Sequence, residues 1–164
     1  MSRTPVPWEE SQHDHGIPQG QQIFSGTTGD QSQKDVNEII RFLDMLELNC
    51  VEANKDYAKE LHTISEWDAL FFLHQMLLDK HHKLFFALHQ QPENLRLQQL
   101  LEDLNMPARL LRNIDNFLTL LCNRIPSSSV CMDFRDLAYD KIFTLWEIAP
   151  AFRDFWEKCL CDLS

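Results

Sequence analysis

Residues 65–92 read SEWDALFFLHQMLLDKHHKLFFALHQQP. Within them Trp67, Leu70, Phe71, His74, Leu77, Leu78, His81, Leu84, Phe85 and Leu88 recur at steps of three and four. That spacing gathers them on one side of an α-helix, which turns once every ~3.6 residues. A half-buried strand needs strict alternation, and the stretch shows none. Ser65-Glu66-Trp67-Asp68 has the form of a capping box, with Asp68 where Glu or Gln is usual. Pro92 closes the helix, because proline has no N–H to give to the preceding turn.

The same period runs outward in both directions. Upstream, Val36, Ile39, Ile40, Leu43, Leu46 and Cys50 form a stripe behind Asp35, a suitable N-cap. Downstream, Leu97, Leu100, Leu101 and Leu104 predict a short third helix. Asn105-Met106-Pro107 stops and restarts the chain, since proline is tolerated in a first helical turn. A fourth helix carries Leu110, Leu111, Ile114, Phe117, Leu118, Leu121 and Ile125, until Pro126 and Ser127–Ser129 break it. A fifth runs from about Val130 to Ile148 with Leu137, Ala138, Ile142, Leu145 and Trp146 inside. After Pro150, Phe152, Phe155, Trp156, Cys159, Leu160 and Leu163 give the cleanest amphipathic pattern of all. The expected fold class is therefore all-α, in a domain spanning residues 35–164.

Residues 1–34 read differently. They hold all four glycines, three of the seven prolines and few large apolar side chains. Such a segment buries too little surface to offset its ordering entropy, so a disordered N-terminal tail is expected.

Composition narrows the function. The chain has 164 residues, about one domain, and its 15 Lys and Arg against 25 Asp and Glu give a net charge of −10. So acidic a protein gains little from a phosphate backbone unless its cations gather locally. The five cysteines are odd in number and contain no CxxC pair, which predicts reduced thiols in an intracellular protein. The N-terminus lacks the apolar run of a signal peptide. The stretch Ala69–Leu78 is too short for the ~20 apolar residues of a membrane span.

The chemistry-bearing residues form no reactive constellation. His74, His81, His82 and His89 share the second helix at spacings of seven, one and seven, whereas a metal pair on a helix wants i, i+4. His74 and His81 ride the apolar stripe and read as structural. Cys159-x-Cys161 puts its thiols on different helix faces. No glycine-rich phosphate loop is possible after Gly29, and no carboxylate pair stands out. We expect no enzyme, no cofactor, no metal and no small-molecule substrate. Two basic features remain as candidate ligand-binding residues: Lys80, His82 and Lys83 on the second helix, and Arg109 and Arg112 on the fourth. Either could meet a phosphate or carboxylate; solvated surface is the plainer reading of both. The final stripe offers a docking surface through Phe152, Phe155, Trp156 and Leu160, if no other helix covers it.

Several blocks carry a resemblance. They are Trp67-Asp68-Ala69-Leu70, Leu73-His74, Leu77-Leu78, His81-His82 and Phe85; Met106-Pro107-Ala108-Arg109; and Phe117-Leu118 through Arg124 and Pro126. Leu137-Ala138-Tyr139, then Glu147 with Pro150-Ala151-Phe152, and Trp156 with Cys159-Leu160-Cys161-Asp162-Leu163 complete the order. Together they resemble the fungal Est1-type DNA/RNA-binding domain, a family related to the ever-shorter-telomeres telomerase regulator and to the SMG adaptors of nonsense-mediated mRNA decay. The resemblance implies antiparallel helical hairpins in a superhelix, similar to 14-3-3 and tetratricopeptide proteins. It also implies a non-enzymatic adaptor that binds a phosphorylated protein partner, or RNA or telomeric single strand, in the nucleus, the cytoplasm or both.

This chain departs from the family pattern at several points. Gln75 follows His74 where relatives favour Arg, and Leu110-Leu111 follows Arg109 where they favour Met-Trp. Cys161 stands in a glycine position, and Ser164 comes just before the relatives' basic Arg-Tyr-Arg run. A truncated, partial superhelix is the expectation that follows. Three readings result: a helical adaptor; a nucleic-acid module, which requires the cations to form one stripe; and a truncated copy that docks on another helical protein.

Overall fold

A computed structural model describes residues 27–164 of the chain. Its helices are α1 (Thr27–Lys59), α2 (Ile64–Gln90), α3 (Leu95–Asp103), α4 (Met106–Arg124), α5 (Val130–Ile148) and α6 (Arg153–Leu163), with a 3-10 turn at Pro150–Phe152. No strand occurs among the described residues, so the all-α expectation holds. The expected tail lies outside the described residues as far as residue 26. Residues 27–34 belong to α1, which starts eight residues before the expected Asp35 cap. This first turn has no apolar stripe to betray it. Side-chain pairs one turn apart support it instead: Gln31 donates to Asp35 at 2.8 Å and Gln33 to Asn37 at 3.2 Å. Gln91 at the end of α2 also hydrogen-bonds Ser32.

The α2 cap sits two residues before the expected Ser65. Thr63 Oγ1 accepts from the Glu66 N–H at 3.3 Å, and Glu66 Oε2 accepts from the Thr63 N–H at 2.6 Å. This is a complete capping box with the usual glutamate, so two donors of the first turn are satisfied together. Between α3 and α4, Asn105 takes a left-handed conformation (φ 52°), which asparagine tolerates better than most residues. Pro107 then opens α4 without losing a hydrogen bond.

Residue pairings fix the topology. Tyr57 meets Trp67, Asn54 meets His74 and Glu47 meets His81, so α1 and α2 are antiparallel. Phe117 against Phe134 and Cys122 against Cys131 make α4 and α5 a second antiparallel hairpin. Between the hairpins, Glu47 meets Arg109 and Glu60 meets Arg124, so α4 runs parallel to α1. Phe71 meets Phe134 and Asp79 meets Lys141, so α5 runs parallel to α2. Two helical hairpins are stacked in the same sense, and α6 folds back on α5.

The core fills the space between the hairpins. Phe71, His74, Phe117 and Phe134 pack as an aromatic knot, with the His74 ring stacked on Phe117 at 3.7 Å. Phe85 meets Trp156 edge-on at 5.1 Å. Each large side chain so buried contributes about 1.5–3 kcal/mol.

Two expectations are corrected here. Trp156 is fully buried, its Nε1–H donating to the Ala149 carbonyl at 3.2 Å, and Cys159 and Leu163 are buried with it. Phe152, Phe155 and Leu160 are partly covered by the same packing. The α6 stripe is thus turned inward by α5 and the 3-10 turn, and does not form an open docking surface. The thiols are also not all free. Cys122 and Cys131, nine residues apart with Cα atoms 6.0 Å apart, form a disulfide across the α4–α5 turn. Their spacing says nothing of this until the break at Pro126 folds one helix end over the next.

Candidate functional site

The parallel pair α1 and α4 is tied at two points. At one end Arg109 Nε donates to both Glu47 carboxylate oxygens at 3.1 Å, and its Nη2 donates to Glu47 Oε2 and Asp44 Oδ1, each at 2.7 Å. Asn113 Nδ2 adds a bond to Glu47 Oε1 at 2.9 Å. Burial alone would push the Glu47 carboxyl up; the His81 ring 3.4 Å away, the Arg109 guanidinium and the Asn113 amide outweigh it and hold the pKa at about 2. At the other end Arg124 Nη2 donates to the Glu60 carbonyl at 2.8 Å.

Between these ties the helices part into a groove of about 350 Å³ lined by Val51, Asn54, Lys55 and Ala58 of α1 and Asn116, Thr119, Leu120 and Asn123 of α4. Its polar groups are largely unspent. Asn54 Oδ1 accepts from His74 Nε2 at 2.8 Å, which leaves the Asn54 amide hydrogens for a ligand. The side chains of Asn116, Thr119 and Asn123 form no hydrogen bond among the described residues, and their 3–4 spacing sets them in one row. Arg112 is exposed one turn before Asn116 on the same face, and Lys55 stands on the facing wall. Neither cation is in an ion pair among the described residues. The arrangement offers amide donors and acceptors, a hydroxyl, one cation at Lys55 with Arg112 a turn beyond, and a short apolar floor. It suits the main chain of an extended peptide with an anionic group, and it contains no nucleophile–base pair.

The structure does not bring the five expected cations together. Arg109 is consumed by Glu47 and Asp44. The Lys80 ammonium sits 4.8 Å above the Phe42 ring of α1. His82 faces the Asp79–Lys141 ion pair on the α5 side, and burial followed by the Lys141 charge lowers its pKa. Lys83 is exposed on α2, next to His82, and Arg112 is exposed on α4 one turn before Asn116, beyond the lining of the groove. The continuous stripe that a nucleic-acid module would need is not formed by these residues. The groove amides escape sequence reading because Asn116, Thr119 and Asn123 occupy the polar side of an amphipathic helix, where solvated surface is the default reading. Their one signal is being uncharged in so acidic a chain.

The two stripe histidines are structural, as expected. His74 is buried and its pKa is pushed down to about 3 by burial. His81 is fully buried; its Nε2 stands 3.4 Å from Glu47 Oε1 without the geometry of a regular hydrogen bond, its Nδ1 has no partner among the described residues, and burial lowers its pKa as well. Among the described residues no group of three His, Cys, Asp or Glu is placed to hold a metal ion. A smaller cavity of about 170 Å³, at the end of α2, is lined by apolar Leu88, Pro92, Ile148, Ala149, Pro150 and Ala151 with His89 and Gln98. No helix among the described residues is long and apolar enough to cross a membrane. No protein-family model, curated protein or solved structure matches this chain.

Proposed function

We propose that this protein is a non-enzymatic helical adaptor that holds a phosphorylated segment of a protein partner in the α1–α4 groove. The observation that carries the reading is the row of unspent side chains at Asn116, Thr119 and Asn123 facing Asn54 and Lys55, with Arg112 at its end. Asn116, Thr119 and Asn123 are exposed, so water satisfies them in the free protein, and a segment that offers its own polar groups can take the water's place beside half-buried Asn54. An extended peptide brings its own N–H and C=O groups at the right density, and Arg112 with Lys55 gives a phosphate its counter-charge. The resemblance to Est1-type and SMG adaptors suggests the setting, mRNA decay or telomere maintenance. RNA is the weaker ligand class, because the cations it needs are dispersed and the chain carries a net charge of −10.

Fluorescence anisotropy on the full chain tests the proposal. The probes are a degenerate phosphoserine peptide library, its unphosphorylated counterpart and a single-stranded RNA. The phosphopeptides should bind best, and R112A and N116A should each weaken them by about tenfold, roughly 1.4 kcal/mol. Equal binding of both peptide libraries would remove the phosphate from the reading. Preferential RNA binding that collapses with salt would replace the reading with the nucleic-acid one.

A further inference from the structure

The apolar surface that α6 keeps covered has an open counterpart on α5. Met132, Tyr139 and Phe143 are 54%, 36% and 45% exposed, and Trp146 is half-buried beside them. Their spacing of seven, four and three aligns them along one face of a regular helix. The Phe143 and Trp146 rings stack at 6.1 Å. Trp146 is held in place by Arg153, 4.8 Å over its ring, and by the bond from its Nε1–H to Glu157 Oε1 at 3.1 Å. Two stacked aromatics fixed from α6 are a rigid anchor rather than a loose patch.

Along one flank of this stripe, on adjoining positions of the same helix, lie Asp133, Asp136, Asp140 and Glu147, all exposed. None is in an ion pair among the described residues. An apolar stripe about four turns long with a one-sided acidic margin selects its occupant by charge. Phosphate-bearing ligands, whether RNA or anionic lipid, are repelled by the margin. A second copy of this chain, itself at −10, would set one acidic strip against another. We propose that the α5 face docks a basic amphipathic helix of a protein partner, its apolar side on Tyr139, Phe143 and Trp146 and its Lys or Arg row on Asp136, Asp140 and Glu147. This surface shares no residue with the α1–α4 groove, so the protein can hold two partners at once.

The probe is a fluorescein-labelled amphipathic helix of Leu and Lys, about four turns long, read by anisotropy on the full chain. The same helix with Glu in place of Lys is the charge control. The Leu/Lys helix should bind and the Leu/Glu helix should not. F143S and the pair D136K/D140K should each weaken binding by about tenfold, with the circular dichroism spectrum and melting temperature unchanged. The pair E93K/D103K, which reverses exposed acids outside α5, should leave binding as it was. An equal loss in E93K/D103K would show diffuse attraction to an acidic protein and overturn the proposal, as would equal binding of the Leu/Glu helix. Dimerisation in light scattering that F143S abolishes would assign the face to a second copy instead.

Discussion

His74 shows how a single residue couples packing to pH. It is stacked on Phe117 and donates to Asn54 from Nε2, and burial pushes its pKa from 6.5 down to about 3. The folded protein therefore keeps the ring neutral while the unfolded chain takes up a proton below pH 6.5. Stability is complete above that pH and falls as pH drops toward 3, with a slope of about 1.4 kcal/mol per pH unit from this residue. Glu47 works in a lower window. Its folded pKa of about 2 lies below the ordinary 4.5, so the stability it contributes is present above pH 4.5 and is lost on the way down to 2. In H74Q, the urea midpoint followed from pH 7 to 2 should lose one proton's worth of slope between pH 6.5 and 3 while the Glu47 limb below pH 4.5 persists. An unchanged slope would mean that His74 is solvated. The histidines' place in the core was legible, because they occupy stripe positions. The Arg109–Glu47 tie was not: it joins residues 62 apart, and no local pattern announces so distant a pair.

At the scale of the elements, the sequence was most legible where apolar spacing and breakers agreed. The fifth helix ends where expected, and Pro107 and Pro150 restart the chain as expected. Reading failed where polar residues decide. The start of α1 rests on Gln, Ser and Asn side chains, and the α2 cap on Thr63 rather than Ser65. It failed again at the α4–α5 turn, where Cys122 and Cys131 meet only after the turn has formed. A bond closing so short a loop removes conformations from the unfolded chain and is worth about 2–3 kcal/mol in the chain-entropy account. C122S should lower the stability of the non-reduced protein by that amount, as read from the urea midpoint. Added reductant should bring the parent protein down to the same value and leave C122S unmoved.

For the whole molecule, the feature that matters is that the two hairpins share one interior. Phe117 comes from the second hairpin and packs on Phe71 and His74 of the first as well as on Phe134 of its own. Truncating it opens a cavity that belongs to both units. F117A should cost about 3–5 kcal/mol, and the loss should show in a single unfolding transition. Hydrogen exchange should accelerate together in α2 and α5. Faster exchange confined to α4 and α5 would mean that the hairpins are stable separately. The sense in which the hairpins stack, parallel in both helix pairs, depends on pairings between distant residues, and no local pattern in the sequence announces it.

The Arg109 tie has a kinetic consequence. Its guanidinium grips two carboxylates a turn apart on α1, Asp44 and Glu47, so α1 cannot slip along α4 by one ~5.4 Å turn without releasing both. The spacing of α1 and α4 is thus fixed in the free protein, so the segment proposed to occupy the groove need not order its walls. Encounter rates for a rigid patch fall in a narrow band, about 10⁵–10⁷ M⁻¹s⁻¹. Competing partners that use this groove would reach it at similar speeds and be told apart by how long each stays.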